Sequence, residues 1–143
     1  MSYPHYGSEC HEHHDLVRDF GGQRPCIVCL CGSTRFVDEF NRQRKALTEA
    51  GEIVLSIEVV TTQAREHDPQ HANPELKARL DELHKRKIDL ADGVLVVSDE
   101  TGYFGESTWG EIRYAVAQGK PVQYVVPAAE ARAAGLAVTE MTT

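Results

Sequence analysis

Gly93-Val-Leu-Val-Val-Ser98, followed by Gly102-Tyr-Phe-Gly-Glu-Ser-Thr-Trp-Gly-Glu-Ile-Arg-Tyr114, decides the fold. The first run is short and apolar and reads as a buried parallel strand. Beyond it, Trp109, Ile112 and Val116 recur at helical spacing. The stretch is a strand-to-helix crossing, rich in glycine and hydroxyls, with the carboxylate of Glu111 in the first helical turn. In open α/β sheets, ligands bind at such crossings, at the carboxyl ends of strands. The free N–H groups of a helix start favour an anion there.

Glu111 admits two readings. Thr108-x-x-Glu111 has the spacing of a capping box, in which the glutamate bonds back to the cap residue. Against that, Gly110 sits in the first turn, where glycine costs roughly 1 kcal/mol relative to alanine, so close approach of another group would explain it. Gly102, Gly105 and Gly110 also leave backbone amides uncovered around Ser107 and Thr108, as in an anion nest. The preferred reading makes Glu111 a nucleophile or charge stabiliser, with Ser107 and Thr108 holding a polar or phosphorylated ligand. Glu106 is a rival carboxylate in the loop. Ser98 and Asp99 are further polar candidates, although turn residues are the default there. Tyr114, one turn along from Glu111, either orients the carboxylate or packs.

Working outward, the helix runs to Gln118 and stops at Gly119. Pro121–Val126 reads as a fourth strand, Ala128–Ala134 as a short helix, and Leu136–Val138 as a fifth, edge strand. On the other side, Glu75 to Ala91 reads as a charged helix with Leu76, Leu80, Leu83, Ile88 and Ala91 on its apolar side. His84 borders that stripe and reads as a half-buried packing residue, with a site histidine as the alternative. Residues 61–74, with Asp68-Pro69 and Asn73-Pro74, form a loop long enough for a lid or a subunit contact. Ile53–Val60 is the second strand.

Cys26-Ile-Val-Cys-Leu-Cys31 is the first strand, apolar throughout and therefore central. Its Cys26-x-x-Cys29 spacing resembles a redox pair, but in a strand those side chains point to opposite faces, and packing is the better reading. Gly32-Ser-Thr-Arg35 follows. Gly32 permits a tight turn, and Ser33 or Thr34 can cap the next helix. Phe36, Val37, Phe40, Leu47 and Ala50 mark that helix's buried side, and Gly51 ends it. Strands alternating with helices imply a parallel sheet covered on both faces, an α/β sandwich of four to five strands.

The chain has 143 residues, enough for one domain with a core of its own. A formal net charge of −7 argues against binding a nucleic acid polymer. It leaves room for a single nucleotide, whose phosphate backbone amides can hold. The apolar runs are far too short to span a bilayer, so no membrane partner is expected. Three of the four cysteines crowd one strand, which reads as reduced thiols in a cytoplasmic protein.

Residues 1–24 carry little pattern and read as a flexible N-terminal arm or a partner-contacting tail, with the domain proper at 25–143. Cys10-His-Glu-His-His14 invites a metal reading. However, it has no second cluster at finger-like spacing and no apolar frame to fix its geometry, so a solvated tail is preferred and no metal or cofactor is expected.

Taken together, Cys31-Gly-Ser-Thr-Arg-Phe36, Asp92 before a strand, Gly105-Glu-Ser-Thr-Trp-Gly-Glu111 and Tyr114-Ala-Val-Ala-Gln-Gly-Lys-Pro121 resemble the nucleoside 2-deoxyribosyltransferase-like family. That family includes the deoxynucleoside 5′-monophosphate N-glycosidases. The likeness spans about residues 26–126. It implies a flavodoxin-like three-layer sandwich, a catalytic glutamate at Glu111, and phosphate binding by Gly32, Ser33, Arg35, Ser107 and Thr108. It also implies a homo-oligomer whose neighbouring copy completes the site. Two family aspartates are unmatched: one position holds Gly105, and the other falls near His84 by counting.

The expected function is therefore hydrolysis or transfer at the N-glycosidic bond of a nucleoside or nucleoside 5′-monophosphate. Hydrolysis of a monophosphate is favoured over base exchange, because Arg35 and the hydroxyl-rich turns suit a phosphate. The alternative is a non-catalytic nucleotide-binding or sensing module on the same fold.

Overall fold

A computed structural model describes residues 24–57 and 74–141. The continuous apolar runs become its two central strands, β1 (Ile27–Gly32) and β3 (Gly93–Val97). They pair in parallel from Val28 opposite Gly93 to Gly32 opposite Val97. β2 (Ile53–Leu55) adds to the outer edge of β1, and β4 (Val122–Tyr124) to the outer edge of β3. The sheet is four-stranded, all parallel, in the order β2-β1-β3-β4.

Helix α1 (Val37–Glu49) joins β1 to β2, and α2 (Pro74–Leu90) precedes β3. α3 (Glu106–Ala117) joins β3 to β4, and α4 (Pro127–Met141) follows. Alternation along the strands divides the core in two. Val28, Leu30, Leu95 and Val97 pack against Phe40 and Leu47 of α1. On the opposite face Cys29, Cys31, Val94 and Val96 pack against Ile88 of α2, Ile112 and Ala115 of α3, and Ala129 and Ala133 of α4. Each fully buried large side chain, such as Leu30 or Phe40, contributes roughly 1.5–3 kcal/mol of hydrophobic stabilisation. The result is the three-layer α/β fold expected. No helix among the described residues is long and apolar enough to cross a membrane.

Several expectations are corrected. Leu136–Val138 is not an edge strand; it belongs to α4, and the sheet has four strands among the described residues. Gly135 does not break that helix, because the alanine-rich run around it has the highest helix propensity. β2 ends at Leu55 and β4 at Tyr124, both shorter than expected. Leu80 and Leu83 are 39% and 51% exposed, so the leucine stripe of α2 is not its buried side. Its inward stripe is Asp81, His84 and Ile88, leading on to Ala91. Cys26 is disulfide-bonded rather than a free thiol, whereas Cys29 and Cys31 are free. The arm at residues 1–23, its Cys10–His14 cluster, and the loop read as a lid at 61–73 lie outside the described residues.

Two contacts fix the ends of the central elements. Lys120 donates to the carbonyls of Ile88, Asp89 and Ala91 at 2.8, 2.6 and 2.7 Å, closing the carboxyl end of α2 with a positive charge. Asp92 accepts two hydrogen bonds from Arg24 and a third from the Ile27 amide, at 2.7 Å. Both residues lie in motifs that carry the family resemblance, and in this fold both act on the frame.

Candidate active site

The chain leaves β1 towards one edge of the sheet and β3 towards the other, so a crevice opens at their carboxyl ends. A cleft of about 320 Å³ lies there. Its walls come from the turn after β1, the start of α2, and the β3–α3 crossing.

Gly32 makes the first wall possible. A Cβ at this position would stand 2.5 Å from the Val97 carbonyl oxygen and 3.2 Å from the Phe40 ring, so a side chain is excluded. The chain then turns through a 3-10 segment, Thr34–Phe36, before α1 begins. Ser33 caps that segment, its Oγ accepting the Arg35 amide at 3.4 Å. The Arg35 guanidinium lies over the Tyr103 ring, 4.4 Å from its centroid. This cation–π contact holds an exposed cation at the cleft mouth.

The second wall is the start of α3. The helix begins at Glu106 with Gly105 as N-cap, and no side chain caps it. Thr108 is thus the third helical residue, and the Trp109 amide donates to the Gly105 carbonyl at 3.0 Å. The Thr108–Glu111 capping box does not form, because the helix starts three residues earlier than that reading requires. The amides of the first turn have no partner in the helix, and Gly105, Glu106, Ser107 and Thr108 line the cleft, which suits an anion. Gly110 is not explained by close approach, since a Cβ there would meet nothing within 4 Å.

Thr108, Glu111, Ile112 and Ala115 form the buried stripe of α3. Glu111 is therefore carried inward by the helix that opens the cleft. It is 8% exposed, lines the cleft, and its Oε2 accepts no hydrogen bond among the described residues. Burial pushes its carboxyl up to about 7, against the pull of the His84 charge.

Beneath Glu111 lies a cluster that the sequence did not single out. His84 Nε2 is 3.3 Å from Cys31 Sγ, 3.6 Å from Cys29 Sγ and 3.7 Å from Glu111 Oε2. All four residues are buried. Burial lowers the His84 pKa, but the contact with Cys29 and the Glu111 charge outweigh it and raise the value. The hydrogen bond with Cys31 brings Cys29 down to about 6 despite its burial, while burial raises Cys31. A legible signal existed: Cys29 and Cys31 are two apart in a strand and so share a face.

The cleft brings together six of the seven site residues expected: Gly32, Ser33, Arg35, Ser107, Thr108 and Glu111. Tyr114 is placed elsewhere. Its hydroxyl donates to Asp89 at 2.6 Å and accepts from Arg86 at 2.9 Å, so it does not orient Glu111. Two cleft residues were missed, Lys77 and Asp81 of α2. Lys77 Nζ donates to Ser107 Oγ at 2.9 Å and to Asp81 Oδ2 at 2.8 Å, tying α2 to the start of α3. Their signal was the inward periodicity of Asp81, His84 and Ile88, hidden by the stronger leucine pattern. The site thus combines the buried carboxylate of Glu111, two further carboxylates, Asp81 and Glu106, two cations and a helix start. Comparison of the chain with family models, with curated proteins and with solved structures returned no match.

Proposed function

We propose that the cleft hydrolyses the N-glycosidic bond of a nucleoside 5′-monophosphate, with Glu111 as nucleophile. The observation that carries this reading is the Glu111 carboxylate itself, buried, without a hydrogen bond to Oε2, and opening on a cleft whose rim supplies anion-binding groups. In this scheme the phosphate sits between Ser33, Arg35, Lys77 and the first-turn amides of α3. Glu111 Oε attacks the sugar C1′ as the bond to the base breaks, and the electron pair leaves with the base. The ester that forms is opened by water, whose proton passes to the second carboxylate, Asp81. The chain acts as a homo-oligomer with a small-molecule partner. The apolar groove between α3 and α4, lined by Trp109, Val116 and Met141, favours self-association.

Chromatography after incubation with a panel of nucleotides and nucleosides tests the reaction. Free base is expected from a 5′-monophosphate, and Glu111→Ala is expected to abolish its release. Base release that survives the substitution removes Glu111 from the mechanism. A second reading, a non-catalytic nucleotide-binding module, is favoured by the near-complete burial of Glu111. Saturable binding by calorimetry with no free base from any member of the panel would support it.

A further inference from the structure

The thiols of Cys29 and Cys31 and the imidazole of His84 take no part in the cleavage scheme. Their three donor atoms lie within 4.8 Å of one another, and all three residues are buried. The two thiols point the same way from adjacent like-facing positions of β1, while His84 reaches them from α2. Both elements are held at their ends, α2 by Lys120 and β1 by Asp92.

The spacing matches a metal coordination sphere. An ion bonded to sulfur at about 2.3 Å and to imidazole nitrogen at about 2.0 Å, in tetrahedral geometry, sets those atoms about 3.5 Å apart. The observed Sγ–Nε2 separations are 3.3 and 3.6 Å. Glu111 Oε2 is 3.7 Å from the same nitrogen but lies outside the set of donors that stand within 4.8 Å of one another, so the described residues supply three ligands. Two thiolates and an imidazole suit a borderline-soft divalent ion and exclude magnesium or calcium, which take oxygen ligands.

We propose that Cys29, Cys31 and His84 form a three-ligand binding site for a zinc-type divalent ion, the fourth position being left to a non-protein donor such as water. Binding takes both sulfurs as thiolates and His84 as neutral imidazole, so the protons they carry pass to solvent, and it sets the ion beside Glu111. The site goes beyond the glycosidic reading and does not rest on it.

The test uses the full chain, freed of metal with a chelator and handled without oxygen, with Co²⁺ as probe and Zn²⁺ as competitor. Cobalt in a tetrahedral thiolate site gives a sulfur-to-metal charge-transfer band in the near ultraviolet and intense visible bands. Both are expected to saturate at one cobalt per chain and to vanish on adding zinc. Replacing Cys29 and Cys31 together by serine is expected to remove the charge-transfer band. His84→Gln, which keeps both thiols, is expected to weaken cobalt binding at least tenfold. Replacing His11, His13 and His14 by alanine is expected to leave the bands intact. Absence of a thiolate band in the unmodified chain overturns the proposal, whatever the variants do. So does a band that survives the double cysteine change, or one that is lost with the arm histidines.

Discussion

His84 Nε2 stands 3.7 Å from Glu111 Oε2, one group from α2 and the other from α3, and of the two only Glu111 lines the cleft. The pair makes Glu111 a costly residue to keep. A buried carboxylate with an oxygen outside any hydrogen bond destabilises the fold unless function retains it. Glu111→Gln preserves shape and removes the charge. Base release from a 5′-monophosphate is expected to fall roughly 10³-fold or more. The thermal midpoint, read by circular dichroism, is expected to stay or rise. A fall in both would assign Glu111 to the frame instead of the chemistry.

Lys77 and Arg35 bring the positive charge to the cleft lining from the side chains of two different elements. If they grip a phosphate, truncation removes binding shared by ground and transition states. Lys77→Met and Arg35→Met are each expected to raise KM for the monophosphate about ten- to a hundredfold, the worth of a charge-assisted hydrogen bond. kcat should change little. Activity on the unphosphorylated nucleoside should be unaffected, and steady-state kinetics on the matched pair of substrates reads the difference. Equal losses on both substrates would place the phosphate elsewhere.

The parts of this fold that could be read from sequence are those where one physical signal acts alone. β1 and β3 are continuous apolar runs because they are buried on both faces, and nothing competes with that pattern. The crossing that holds Glu111 was legible for the same reason. Helix register was not. Thr108 and Glu111 have the spacing of a capping box, but spacing does not say which residue begins the helix, and Gly105 does. On α2 the leucines gave the stronger periodicity, yet the helix turns them outward. Its inward side meets two thiols and a carboxylate, so Asp81 and His84 are the residues it buries or half-buries. A polar interior leaves no hydrophobic trace in one sequence. α4 runs past the expected Ala128–Ala134 and takes in Leu136–Val138, because a helix rich in alanine tolerates one glycine, Gly135.

Lys120 belongs to the motif that most suggested a ligand site, yet it bonds three carbonyls at the end of α2. Lys120→Met leaves those acceptors short of a charged donor and removes a favourable charge from the helix terminus. A loss of about 2 kcal/mol in unfolding free energy is expected, read from urea titration with an unchanged slope. Because α2 carries Lys77, Asp81 and His84, cleft geometry depends on that end being closed. An unchanged midpoint would show that the three bonds contribute nothing in solution.

Glu52, 6% exposed between α1 and β2, gives a pH dependence whose sign can be worked out. Burial raises its carboxyl from 4.5 to about 7. The folded protein therefore holds this proton more tightly than the unfolded chain does. The contribution to stability is whole below about pH 4.5 and is lost as pH climbs to about 7, where both states are ionised. The loss is a few kcal/mol at most, since one pKa unit corresponds to roughly 1.4 kcal/mol. Glu52→Gln does not titrate, so it removes this slope. The variant's thermal midpoint should exceed that of the parent at pH 7.5 and approach it near pH 4.5, with melts every half unit tracing the convergence. Parallel curves across that window would mean that the Glu52 carboxylate keeps its hydration in the folded protein, and that the turn between α1 and β2 opens to water.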